Sequence, residues 1–446
     1  MMDSPLEVVA DLVLLLAIVL VAAKIGGEIF ERFLKLPPVL GELGAGVLIS
    51  PFALGGIEIG SFGPLFDMPL DIQVLDGVAR QVESVLPVQP QLFFIAQIAA
   101  IVLLFDAGLE TNRQQFFRYI RPGAAVAAGG VIVPFALGFG ATVALGFADL
   151  ASVEGALPAL FVGAIVTATS VGITARVLAD IRMLSSVEGT TILSAAVIDD
   201  ILGIIVLAVI VGIKEDGPVT TMSIVVIFAK AVGFWLGLSI VGSLISGYIS
   251  KLVTWFTSAG SVVVLALALA FIAAGVAEIY FGLAMIIGSY TMGLVLSDTE
   301  LKHRIEEPMR QIGFFLVPVF FVVIGMQVDL TALGGGEGSH SMAKIVGFTI
   351  VLTVLAIISK LAGCGLPALL VGFNARGAWR IGLGMLPRGE VALIVAGIGL
   401  ASGVIERDIF AVAIIMTVIT TVISPIMLVP AFRGASGQRN PEKKSN

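Results

Sequence analysis

The run Ser194-Ala-Ala-Val-Ile-Asp199-Asp200-Ile-Leu-Gly-Ile-Ile-Val-Leu-Ala-Val-Ile210 holds two adjacent carboxylates and no local charge to neutralise them. Read as a membrane helix, it places two ionisable groups near the middle of a bilayer. Each such group costs about 2.5–3.5 kcal/mol on insertion scales, a cost met by pairing with a cation or by facing a wet cavity. A carboxylate pair in this setting therefore marks an ion site. Successive residues of a helix point about 100° apart. Asp199 and Asp200 thus cannot both face one partner; one can take a neighbouring cation while the other faces the pathway.

The rest of the chain places that run in a membrane. The 446 residues are 58% hydrophobic and 13% charged, against about 25% charged in soluble domains. The fold class expected is an all-α polytopic membrane protein. A single cysteine, Cys364, excludes an internal disulfide. The first apolar stretch follows acidic residues (Asp3, Glu7, Asp11) with no Lys or Arg, so it reads as a retained helix and not a cleaved signal.

Hydropathy gives about thirteen spans, near 6–30, 38–55, 91–110, 122–147, 156–179, 186–213, 219–246, 260–277, 281–297, 310–328, 343–372, 376–402 and 408–431. Within 260–297, Glu278-Ile-Tyr-Phe-Gly282 favours two short helices over one long hairpin. With the N-terminus outside and the C-terminus inside, seventeen Lys and Arg fall in inside loops, Arg376 and Arg380 among them. Four (Arg80, Lys214, Lys344, Arg407) fall outside and four (Lys24, Lys230, Lys360, Arg388) in spans. That split obeys the positive-inside rule.

Six spans, a connecting span near 219–246 and six more give two groups of opposite topology, a first repeat near 6–213 and a second near 260–431. Inverted-repeat transporters are built this way. Residues 1–431 then form one transmembrane domain and 432–446 a short cytoplasmic tail. The fifth span of each group is interrupted. The first carries Thr167-Ala-Thr169-Ser170-Val-Gly172-Ile-Thr174, the second Gly382-Leu-Gly384-Met-Leu-Pro387-Arg388-Gly389-Glu390. Proline removes a helical hydrogen bond and glycine loosens the backbone. Matched interruptions in two halves point to a transporter's binding site.

Lys360, deep in the eleventh span, is the partner expected for one aspartate. Arg388 and Glu390 flank Gly389 and are expected to form a supporting ion pair, or to cross to polar groups of the first interruption. Asp106 and Glu42 lie near span ends, where structural or funnel roles are expected, and Lys230 reads as a snorkelling residue. His303 and His340 sit far apart in loops, so no resident metal site is suggested, and no cofactor or nucleic-acid partner is implied. Gly334-Gly-Gly-Glu-Gly338 lacks the ending of a phosphate loop and reads as an external loop. The acidic segment Gly56 to Pro90 has room for a short amphipathic element. No nucleophile–base constellation is visible, so enzyme function is not expected.

The motifs together resemble the monovalent cation/proton antiporter superfamily, in the branch of bacterial NapA-type sodium/proton exchangers and their Kef-like relatives. The resemblance runs from about Lys35 to Ala431. It rests on Pro37-Pro-Val-Leu-Gly41-Glu42-Leu-Gly-Ala-Gly46, Ala107-Gly-Leu-Glu110, Thr167 to Leu178, Ile198-Asp-Asp-Ile201 and Arg388-Gly-Glu390. It implies the NhaA-like antiporter fold, with two crossed, broken helices in a core domain and a second panel of helices that forms a homodimer in the bacterial cytoplasmic membrane. Carried over, Asp200 is the carboxylate that binds Na⁺ or a proton, Asp199 pairs with Lys360, and Thr169 and its neighbours line the crossover. The lysine with both aspartates implies electrogenic exchange. Asp106 departs from the apolar residue common at that position. Kef-like relatives carry a cytosolic nucleotide-binding domain after the last span; this chain ends at Asn446, so such a domain is expected to be missing or on another chain.

The expected function is exchange of protons for Na⁺, or Li⁺, by alternating access. The alternatives are a K⁺/H⁺ exchanger, a gated cation channel or pore subunit of a regulated potassium-efflux system, and an organic-anion symporter of bile-acid type. The aspartate pair argues against the last, because it would repel an anionic substrate.

Overall fold

The computed structural model describes residues 5–34, 36–58, 64–66, 70–75, 78–83, 88–214, 221–327 and 341–433. The glycine-rich loop at 334–338, His340 and most of the C-terminal tail lie outside them, as does the side chain of Glu390. Eleven helices among the described residues are long and apolar enough to cross a membrane.

The chain forms two compact units. The first comprises residues 1–100 and 311–342. It holds α1 (Pro5–Ile29), α2 (Pro38–Ile49) and an antiparallel hairpin of β1 (Leu70–Leu75) and β2 (Val78–Glu83), in register from Leu70↔Glu83 to Leu75↔Val78. In lipid, helices are drawn together by close packing more than by a hydrophobic gain, which favours small residues where they meet. Gly26 of α1 and Gly41 of α2 meet so closely that a Cβ on either would strike the other's backbone.

The second unit comprises residues 101–310 and 343–446. It includes α4 (Arg113–Ala144), α5 (Val153–Thr167), α6 (Val171–Asp180), α7 (Val187–Lys214), α8 (Thr221–Trp255), α9 (Ser261–Phe281) and α10 (Met285–Leu296). It continues with α12 (Met342–Leu370), α13 (Ala375–Gly384), α14 (Glu390–Ala401) and α15 (Arg407–Ala431). Two further helices, α3 (Pro90–Glu110) and α11 (Leu301–Met326), begin in one unit and end in the other. An apolar cluster including Phe161, Ile165, Phe348, Leu352, Ala392, Val412 and Met416 joins α5, α12, α14 and α15.

Several boundaries depart from the hydropathy windows. Helix α4 starts nine residues before its window, capped by the Asn112 side chain, which accepts from the Gln115 N–H at 2.9 Å. Helix α8 runs on to Trp255 and α11 starts at Leu301. A window marks the apolar part of a helix, whereas hydrogen bonding continues into polar turns. The window at 281–297 is the twelve-residue α10, separated from α9 by Gly282 at φ +66°. The window at 376–402 is the two half-helices α13 and α14. Among the described residues the hairpin is the exception to an otherwise helical fold. Its first strand, Leu70-Asp-Ile-Gln-Val-Leu75, alternates apolar and polar residues, a period-2 signal inside the segment read only as amphipathic.

Candidate ion site

The two interruptions are true breaks, and they meet. Helix α5 ends at Thr167 and α6 begins at Val171; α13 ends at Gly384 and α14 begins at Glu390. The Ser170 N–H donates to the Pro387 carbonyl at 2.8 Å. The Thr174 hydroxyl donates to the Gly384 carbonyl at 2.7 Å, and the Thr169 hydroxyl to that of Met385 at 3.4 Å. A helix end leaves its last carbonyls without partners, and lipid supplies none. Here the chain supplies them. Leu383 accepts from the Ser424 hydroxyl at 3.1 Å, Leu386 from Arg388 at 3.1 Å, and Arg388 from the Thr421 hydroxyl. Every carbonyl from Leu383 to Arg388 has a donor.

Arg388 is fully buried and acts on backbone. Besides Leu386, its guanidinium donates to the Val166 carbonyl at 2.8 and 3.3 Å, and to the Ala356 carbonyl of α12 at 3.2 Å. It thereby caps the C-terminal end of α5, where the helix dipole is negative. Of the two expectations for Arg388, this is the crossing to the first interruption. The expected pair with Glu390 involves a side chain outside the described residues.

Beside the breaks, α7 and α12 bring the charges together. The Lys360 ammonium lies 3.3 and 3.5 Å from the two Asp199 oxygens and donates to the Thr169 hydroxyl at 2.7 Å. The lysine and aspartate side chains are 0% and 2% exposed, so the pair is dry. Asp200, one residue on, is 5% exposed and points elsewhere around α7. Thr167 turns back to its own helix, donating to the Ala164 carbonyl at 2.7 Å, and Ser170 and Pro387 join the breaks through their backbone. Of the residues near span ends, Glu42 is buried, Asp106 is partly exposed and Lys230 is exposed. Among the described residues there is no cluster of three or more His, Cys, Asp or Glu fit to hold a metal.

Two features escaped the sequence. Gly130 of α4 flanks the ion pair: a Cβ there would lie 3.5 Å from the Lys360 nitrogen, 3.8 Å from Asp199 and 2.6 Å from the Cys364 sulfur. A lone glycine in an apolar span carries no signal of such a role. Arg380, read as an inside-loop residue, is buried in α13 and pairs with Glu188 at 2.6 Å.

Broken helices that meet beside a buried lysine–carboxylate pair, with eleven apolar helices long enough to cross a membrane among the described residues, define a polytopic membrane protein. Residues 14–434 match the transmembrane sodium/hydrogen exchanger family, and the chain belongs to it. It is 38% identical over 441 residues to the high-affinity Na(+)/H(+) antiporter NhaS3 of Synechocystis sp., covering 98% of this chain and 93% of that one. It is 34% identical over 414 residues to the Na(+)/H(+)-K(+) antiporter GerN of Bacillus cereus, covering 93% and 94%. Among solved structures, the sodium proton antiporter MjNhaP1 from Methanocaldococcus jannaschii at pH 8 superposes with a TM-score of 0.64 at 18% identity. That match covers 95% of this chain and 99% of that one.

Substituting Gly130→Ala forces its methyl against Cys364. Overpacking of this kind costs about 1–3 kcal/mol. Thermal unfolding in mild detergent should show that loss, and Cys364→Ala in the same chain should recover most of it.

Proposed function

We propose that this protein is a secondary antiporter that exchanges protons for Na⁺, or Li⁺, by alternating access. The observation that supports it best is the dry Lys360–Asp199 pair with a second carboxylate, Asp200, one residue away. Asp200 binds either a proton or the cation, never both, and that competition couples the two fluxes. Cation entry at Asp200 draws Asp199 away from Lys360. The lysine then loses its counter-charge and releases a second proton, so more than one proton moves per Na⁺ and exchange is electrogenic. Thr169, hydrogen-bonded to Lys360, holds the ammonium in place until then. Arg388, bound to three carbonyls, keeps the breaks closed around the site.

The same reading covers the architecture. Thirteen crossings, counting α10 and the α13–α14 pair, form two inverted repeats of six about α8. The N-terminus lies outside and the C-terminus inside the bacterial cytoplasmic membrane. Helices outside the ion-carrying core form a homodimer, giving the core a fixed body to move against. A K⁺/H⁺ exchanger is the second reading, favoured by the name of the Bacillus cereus relative. Purified protein in liposomes with a pH dye, challenged in turn with Na⁺, Li⁺, K⁺ and choline, separates the two. Saturation with rising cation separates both from a channel.

Asp200→Asn should insert and fold yet abolish exchange, because an amide cannot trade a proton for a cation. Cation-dependent proton release by that variant at the wild-type rate would remove Asp200 from the mechanism.

Lys360→Gln should exchange more slowly and ignore an imposed potassium-diffusion potential that accelerates the wild type. A wild type insensitive to the potential, or a variant that follows it equally well, would make Lys360 a structural tether. The variant should also unfold at lower temperature, since removing one member of a buried pair costs about 3–5 kcal/mol.

A further inference from the structure

A second buried ion pair lies on the same helix as the carboxylates, away from the ion site. Glu188, in the first turn of α7, receives the Arg380 guanidinium at 2.6 Å, and the two side chains are 5% and 4% exposed. Arg380 is committed on its other edges. Its Nε donates to the carbonyl of Ala431, the last residue of α15, at 2.9 Å, and its guanidinium lies 4.9 Å from the centre of the Phe432 ring. One side chain thus ties the start of α7 and the end of α15 to the middle of α13.

The contact next to this pair fixes how the helices run. Gly384, four residues after Arg380, abuts Ile192, four residues after Glu188; a Cβ on Gly384 would collide with the isoleucine side chain. Two contacts that advance by one turn on both helices mean that α7 and α13 run parallel and in step. One turn further on, α7 reaches Ala196, with Asp199 and Asp200 within another turn, while α13 ends at Gly384 and gives way to the break that carries Arg388. Glu188 and Asp199 are eleven residues apart, close to three full turns, so both pairs project from one face of α7, about 16 Å apart along its axis.

We propose that Glu188 and Arg380 are positioning residues for ion exchange: their pairing sets the axial register of α7 against α13 and so holds Asp199 and Asp200 level with the second break. This rests on the exchange reading above. The pair is a good register device because guanidinium and carboxylate meet in a fixed planar geometry. A slip of the helices would separate them in a dry environment. Apolar contacts such as Gly384 on Ile192 resist separation but tolerate sliding.

The test uses the full-length protein in liposomes and reads the Na⁺ concentration for half-maximal exchange, together with the response to an imposed potential. Glu188→Gln and Arg380→Gln should each raise half-saturation at least tenfold, because the carboxylates no longer sit squarely at the break. The Lys360-dependent response to potential should persist. The exchanged pair, Glu188→Arg with Arg380→Glu, should move half-saturation back towards the wild-type value. A purely structural pair would lower the yield of folded protein without moving half-saturation, so folded single variants with the wild-type value would overturn the proposal. Should the neutral variants not fold, Glu188→Asp decides: it keeps both charges on a shorter arm and should give a two- to threefold rise, and an unchanged value would overturn the proposal. A wild type that exchanges nothing would remove the antiporter reading instead.

Discussion

An ammonium and a carboxylate withdrawn from water together are the constraint that orders the second unit. Lys360 and Asp199 are both buried, and desolvating a charge is costly enough that each must be met by a partner in good geometry. The pair therefore fixes where α12 stands against α7. Thr169, bonded to the same ammonium at 2.7 Å, fixes where the first break stands against both. From there the arrangement is forced outward. Breaks at this depth need donors for their carbonyls, and Arg388, Thr174, Thr421 and Ser424 supply them from three different segments, the last two sharing α15. The carbonyls of the second break are thus met from within the protein, which is what makes them tolerable in an apolar chain.

Asp200 points about 100° around α7 from Asp199. Asp199 is engaged by Lys360, and the carbonyls of the second break by hydroxyls and guanidinium. Two neighbouring residues of one type thus face different surroundings, about 100° of helix rotation apart. A third carboxylate on the same helix, Glu188, pairs with Arg380 and lies on the face that carries Asp199.

Much of this could be read in the residue order. The Asp199-Asp200 run, Lys360 in mid-span, and the Thr- and Gly/Pro-rich interruptions stand out because charge and broken backbone are anomalous in apolar sequence. The strength of those anomalies is physical: each is too costly to be incidental. What could not be read depends on neighbours distant in the chain. Arg380 looks like one more positive residue at a membrane edge, because charge counting assigns it by sequence surroundings and not by what packs against it. Gly130 gives no sign of flanking the ion pair. The starts of α4 and α11 were displaced because hydropathy reports apolarity and not hydrogen bonding. The strands β1 and β2 were missed because a short alternating stretch is faint beside spans of twenty apolar residues.

The order in which the partners are made carries a consequence for biogenesis. Asp199 leaves the ribosome 161 residues before Lys360, and Val166 emerges 222 residues before Arg388. For that interval Asp199 is without the lysine that meets it, and the Val166 carbonyl is without the guanidinium that caps it. The amino-terminal half therefore acquires these polar partners only once α12 and the second break have been made.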